Sequence, residues 1–137
     1  MSSVRIVQDV YSAFGRGDVP TVLAAFDPKI EWREAEGNPY EPGGRAWVGP
    51  DAVLQNLFLR IAADWNGFTV HPELFHDAGD TVVVEGRYSG THKQSRKELD
   101  AQFCHVWSIR NGRIARFQQF VDTAQLQDVM QAPPARR

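Results

Sequence analysis

The sequence predicts an α+β fold: helices first, then a meander of antiparallel strands. Three observations carry this. Apolar residues recur at three- and four-residue steps in the segments beginning at Val4, Asp18 and Pro50, four alternating segments follow Asn66-Gly67, and an Asn-Gly pair at 111–112 separates the last two of them as a tight hairpin would. Helices followed by a run of strands, without strict alternation of the two, argue against a doubly wound sheet.

The first helix carries Val7, Val10, Tyr11 and Phe14 on one stripe and stops at Gly15-Arg16-Gly17. Asp18 caps a second, with Val19, Val22, Leu23 and Phe26 as its stripe, Pro20 in its first turn and Asp27-Pro28 as its end. Ile30 to Glu34 alternates with period two, which makes a first strand with Ile30, Trp32 and Glu34 on one face. The Gly- and Pro-rich stretch 37–49 is a loop carrying Tyr40 and Trp47. Pro50-Asp51 opens a third helix with Val53, Leu54, Leu57, Phe58, Ile61 and Trp65 on its stripe. Strands follow at Phe68 to Phe75, Thr81 to Tyr88, Ala101 to Ile109 and Ile114 to Val121, with a polar connection from Ser89 to Asp100. A short helix starts at Asp122-Thr123, giving one domain over 1–130 and a frayed tail over 131–137.

Composition narrows the function. Fifteen Lys and Arg against 17 Asp and Glu leave a net charge of −2 with no basic block, so no nucleic-acid partner is expected. The start lacks an apolar leader and no stretch is long enough to span a bilayer, so no membrane role is expected either. The single cysteine, Cys104, excludes an internal disulfide and fits a reducing, cytoplasmic setting. His71 and His76 point to opposite faces of one strand, the Gly-Gly at 43–44 has no phosphate-loop lysine, and no metal or other cofactor is expected.

Strand parity gathers the aromatic residues with ionisable ones. Glu34 shares a face with Trp32, Glu85 with Arg87, His105 with Phe103 and Trp107, and Asp122 with Phe120 and Gln118. An aromatic wall of Trp32, Phe103, Trp107 and Phe120 dotted with these polar groups has the composition of a small-molecule site, with Tyr40, Trp47 and Phe58 folding over its mouth. A carboxylate in such a cavity has its pKa raised and can act as an acid or base near neutrality. Each polar residue also has a plainer role: Asp122 as a helix cap, Glu34 as a solvated strand end, Arg87 as a counter-ion and His105 as a satisfied sheet residue.

Four segments carry a family resemblance: Val-Tyr-Ser-Ala-Phe-Gly-Arg-Gly-Asp (10 to 18), Ala-Ala-Phe-Asp-Pro-Lys-Ile-Glu-Trp (24 to 32), Gly-Pro-Asp-Ala-Val (49 to 53) and Asn-Gly-Arg-Ile-Ala-Arg-Phe-Gln-Gln-Phe-Val-Asp-Thr (111 to 123). Through them the chain from Val4 to Met130 resembles the SnoaL-like branch of the nuclear transport factor 2-like superfamily, which also holds ketosteroid isomerases and limonene epoxide hydrolases. The resemblance implies a cone-shaped α+β barrel, a strongly bent and mostly antiparallel sheet wrapped around three N-terminal helices, with a deep pocket and dimers formed through the outer face of the sheet. It places Glu34 where ketosteroid isomerases carry their carboxylate base, and their two oxyanion donors at Val10, beside Tyr11, and at His105. It places Asp122 on the acid/base aspartate of the epoxide hydrolases, and their Arg-x-Asp pair on Glu85-Gly86-Arg87 with the charges reversed.

Three functions stay open on the sequence. The first is a cofactor-independent isomerase, cyclase or epoxide hydrolase acting on a hydrophobic carbonyl or epoxide compound, with Asp122 as acid/base, Arg87 orienting it and Glu34 as second carboxylate. The second is a non-catalytic cone that holds an apolar molecule, and the third a dimeric interaction module.

Overall fold

A computed structural model describes residues 2–131 of the chain. The tail expected over 131–137 lies outside the described residues except for Gln131. Helix α1 (Ser3–Gly15) starts at Ser2, whose hydroxyl accepts from the Arg5 amide, and turns Val7, Val10, Tyr11 and Ala13 inward. Asp18 caps α2 (Val19–Ala24) by accepting from the Thr21 amide at 3.2 Å. Strand β1 (Phe26–Arg33) begins four residues earlier than its alternation suggests and takes in Asp27-Pro28, so Glu34 sits just past its end. The loop that follows contains a two-residue strand, β2 (Trp47–Val48).

The third helical segment is a rod of three parts: α3 (Pro50–Val53), a π-helical stretch over Leu54–Phe58, and α4 (Leu59–Asp64). The amide of Leu59 bonds the carbonyl of Leu54, five residues back, which widens the turn. Trp65, read as the last residue of this helix, instead opens the sheet.

That sheet has the strand order β2-β1-β6-β5-β4-β3, with β3 (Trp65–Ala78), β4 (Thr81–His92), β5 (Glu98–Arg110) and β6 (Arg113–Val121). Every neighbouring pair is antiparallel except β1 and β6, which run parallel. The sheet is not closed: β2 and β3 are its edges. Asn111 and Gly112, with φ of 52° and 75°, make the β5–β6 turn that their sequence announces. The polar stretch from Ser89 to Asp100 is mostly strand. The ladder continues to His92 and resumes at Glu98, because His92 and Leu99 bury their side chains and Ser95 donates from its hydroxyl to the Val129 carbonyl of α5 (Thr123–Met130).

The inner face of the sheet and the helices share one core, in which Val7, Val22, Phe26, Ile30, Leu57, Val82, Val84, Trp107 and Phe117 are fully buried. On β4 the inward set is Val82, Val84, Gly86 and Tyr88. On β6 the pairs Ser108–Arg116 and Ile109–Ile114 leave Ala115 unpaired, a bulge that shifts the parity and turns Phe117 and Gln119 inward.

Gly86 faces its cross-strand partner Phe103, whose ring covers it. A Cβ there would stand 2.5 Å from Phe103 Cζ and 2.3 Å from the His71 carbonyl oxygen, a contact that backbone cannot easily give up. Gly86→Ala should therefore cost about 2 kcal/mol as an overpacked core site. Urea unfolding would read this as a lower midpoint at an unchanged slope, and an unshifted midpoint would show that the strands part freely.

Candidate functional site

Between α1, the helical rod and the inner sheet face lies a cavity of about 450 Å³. Its walls are aromatic and aliphatic. Phe14 comes from α1, Leu57 and Phe58 from the π-helical stretch, Ile61 from α4, Trp65 and Phe68 from β3, and Trp32, Trp107 and Phe117 from the sheet. The rings interlock: Trp32 stacks on Phe117 at 3.8 Å between centroids and meets Phe58 and Trp107 edge-on at 5.5 and 5.8 Å. Leu57 and Phe58, both within the widened helical turn, line the cavity together.

Polar groups form a line across the wall. Glu34 is 6% exposed. Among the described residues its side-chain donors are Trp32 Nε1 at 3.1 Å and Asn38 Nδ2 at 3.4 Å, both neutral. Burial without a cation raises its pKa from 4.5 to about 7, and the indole hydrogen bond offsets only part of that rise. Asn38 Nδ2 also donates to Gln119 Oε1 at 2.7 Å, and Gln119 Nε2 donates to the Tyr88 hydroxyl at 2.9 Å. Tyr88 hydrogen-bonds His105 Nε2, His105 Nδ1 lies 2.6 Å from the Tyr11 hydroxyl, and Trp107 Nε1 donates to that hydroxyl at 2.9 Å. Desolvation holds His105 well below the usual imidazole range and pushes both phenols above theirs.

Of the residues expected at a site, Trp32, Glu34, Phe58, His105 and Trp107 line this cavity. The other expected residues lie elsewhere. Arg87 is on the outer face, where Nε donates to Asp100 Oδ1 at 2.8 Å, because the inward parity of β4 belongs to the even-numbered residues. Glu85 is outside for the same reason, paired with His76 at 2.6 Å. Asp122 caps α5 by accepting from the Gln125 amide at 3.1 Å and does not reach the cavity. Phe120 is 54% exposed, turned out beyond the Ala115 bulge. Phe103 is buried behind the wall, stacked on His105 at 3.8 Å. Tyr40 is buried outside the cavity and donates to Asp64 Oδ2 at 2.6 Å, while Trp47 Nε1 donates to the Tyr40 carbonyl. These two fasten the 37–49 loop to the end of the rod. No group of three or more His, Cys, Asp or Glu side chains that could hold a metal ion occurs among the described residues.

Sequence reading did not place Tyr88, Phe117 or Gln119 at the site, although all three line it, and it reached Tyr11, which lines it too, only as the neighbour of the donor position at Val10. For Tyr88 a signal existed, since Val82, Val84 and Tyr88 form an uncharged set that alternates with Glu85 and Arg87.

Comparisons with known proteins agree on the family. The SnoaL-like domain family matches residues 7–117. An NTF2-like protein from Burkholderia thailandensis is 37% identical, with 96% of this chain and 98% of that chain covered and a TM-score of 0.91. An NTF2-like protein of unknown function from Burkholderia pseudomallei is 31% identical over 96% and 100% of the two chains, with a TM-score of 0.86. TerC, co-crystallized with polyporic acid, shares the fold at 22% identity and a TM-score of 0.82, with 93% and 97% covered. No match was found among curated proteins.

Two outcomes follow from the geometry. Asp122→Ala should lower stability by about 1 kcal/mol, the worth of a lost helix cap, and leave ligand affinity in the cavity unchanged; weakened binding in a folded variant would bring Asp122 back to the site. Glu34 holds its proton up to about pH 7 when folded, against 4.5 ordinarily. The shift is upward, so the contribution is complete below the ordinary value and lost as pH rises through the folded one, on the order of 3 kcal/mol. Glu34→Gln should therefore show a flatter stability–pH curve and exceed the parent at pH above about 7. Parallel curves for the two proteins would mean that the Glu34 pKa is the same folded as unfolded.

Proposed function

The chain belongs to the SnoaL-like domain family, and on that premise we propose that it binds a small hydrophobic carbonyl compound and moves a proton on it without a cofactor. One observation carries the reading: the Glu34 carboxyl is buried in an aromatic cavity, faced by neutral donors, with its pKa raised to about 7. A base poised near the working pH is the most effective proton shuttle.

In the ionised form Glu34 takes a proton from the carbon next to the carbonyl. The C–H electron pair becomes the C=C bond, and the carbonyl π pair moves to oxygen. A hydroxyl of the Tyr11–His105–Tyr88 array, held in place by its partners, hydrogen-bonds that oxygen. Glu34 then returns the proton to the same carbon or to another one. Hydrolysis of an epoxide by the Asp122 and Arg87 pair has no support in this geometry, since both side chains lie away from the cavity.

A second reading is binding alone, favoured by the extent of the aromatic wall. TerC, which shares the fold, was co-crystallized with polyporic acid.

Exchange of the α-protons of 1-tetralone for deuterium, followed by proton NMR, separates the two readings without knowledge of the natural substrate. The expected result is exchange that rises with pH to a plateau above about 7, as Glu34 loses its proton. Glu34→Gln should fall roughly 10²-fold or more, the usual weight of a general base. Tight binding of the ketone with background exchange would leave binding as the function.

A further inference from the structure

We infer that Tyr11, His105 and Tyr88 hold one more proton than their mutual hydrogen bonds can use, and that the tautomer of His105 decides which tyrosine offers it to the cavity. The ligand class that fits is one presenting a neutral hydrogen-bond-accepting oxygen, a carbonyl compound rather than an amine or a bare hydrocarbon. This deepens the reading that the cavity takes a small apolar molecule and is independent of the proton chemistry assigned to Glu34.

The count starts from groups with no choice. The Trp107 indole can only donate, and it donates to Tyr11. At the other end the Ala35 amide donates to Gln119 Oε1 at 3.3 Å. Asn38 Oδ1 accepts from the Tyr40 amide at 2.8 Å, so Asn38 Nδ2 is the donor toward Gln119 Oε1. With its oxygen so occupied, Gln119 must donate from Nε2 to Tyr88. Both tyrosine oxygens thus receive a hydrogen bond from outside the triad.

Two links remain, Tyr11 to Nδ1 and Tyr88 to Nε2. A neutral imidazole supplies one proton and one lone pair, and each phenol supplies one proton. Three protons meet two links. Both His105 partners are hydroxyls with no carboxylate among them, and its burial disfavours the imidazolium. In one arrangement Tyr88 donates to Nε2, Nδ1–H donates to Tyr11, and the Tyr11 proton is free. In the other Tyr11 donates to Nδ1, Nε2–H donates to Tyr88, and the Tyr88 proton is free.

Both tyrosines line the cavity, so in either case the free proton belongs to a cavity-lining residue. Passage from the first arrangement to the second balances. With solvent water in the cavity as the relay, Tyr11 gives its free proton to a water molecule, Nδ1–H moves to Tyr11, the Tyr88 proton moves to Nε2, and Tyr88 takes one proton back from the water. Charge and proton number are unchanged. A ligand with an acceptor at one position selects one tautomer by its differential affinity for the two.

Nitrogen NMR of the chain labelled with ¹⁵N-histidine tests this directly on the folded protein. In the free protein at neutral pH, His105 should show one protonated and one unprotonated ring nitrogen. 1-Tetralone should change the Nδ1–H to Nε2–H ratio by about fivefold, the weight of one neutral hydrogen bond, and tetralin, the same skeleton without oxygen, should bind and leave the ratio unchanged. The same response in Glu34→Gln would separate the inference from the acid–base role: loss of α-proton exchange there with the tautomer shift kept supports both. A doubly protonated His105 in the free protein, or bound tetralone with an unchanged ratio, would overturn the inference. Binding of neither compound would overturn the ligand-binding reading and the ligand class with it, while the free-protein spectrum alone decides the proton count.

Discussion

A buried polar group left without a partner costs a few kcal/mol, and this molecule takes a carboxyl, two amides, an imidazole, two phenols and two indoles out of water side by side. Among the described residues no buried side-chain nitrogen or oxygen lacks a hydrogen bond. The partners come from separate elements: Tyr11 from α1, Trp32 from β1, Asn38 from the following loop, Tyr88 from β4, His105 and Trp107 from β5, and Gln119 from β6. A slip of any strand by one residue would turn its member outward and orphan two neighbours. The aromatic shell is a large part of the core, and the polar line is satisfied only in the native register.

The same constraint sets the chemistry. Partners satisfy the hydrogen-bonding capacity of Glu34 but not its charge, since indole and amide groups carry none. Neutral His105 and the raised phenols follow from the same dry surroundings. Charged residues that would have compensated Glu34 are present in the chain, yet Arg87 spends its guanidinium on Asp100 in solvent. The cavity lining therefore holds no Lys or Arg, and the ion pairs among the described residues lie outside it.

Helix stripes, capping residues and the Asn-Gly turn were legible because each depends on a few neighbours in sequence. The inward position of Trp32, Glu34, His105 and Trp107 was legible too, since their strands keep one parity through the site. On β4 the charges of Glu85 and Arg87 drew attention to the wrong face, although a charged pair alternating with Val82, Val84 and Tyr88 is the pattern of a half-solvated strand. On β6 nothing local announces the unpaired Ala115, because a bulge is decided by the register of the partner strand. Asp122 shows the limit of likeness in type: a helix cap and an acid catalyst need the same carboxylate, and only its surroundings tell them apart.

Strand β1, which carries the chain to Glu34, pairs in parallel with β6, so Glu31, Trp32 and Arg33 lie beside Arg116, Phe117 and Gln118. Joining segments so far apart in sequence carries a loop-closure entropy cost that local hairpins do not share, and makes such pairings late in folding. On the ribosome β6 is the last strand of this sheet to emerge. Without β6, Trp32 would lack its stacking partner Phe117 and Asn38 its partner Gln119, and the wall around Glu34 would stand open to water. Completion of the sheet is thus the event that desolvates the carboxylate and lifts its pKa from the ordinary value to about 7.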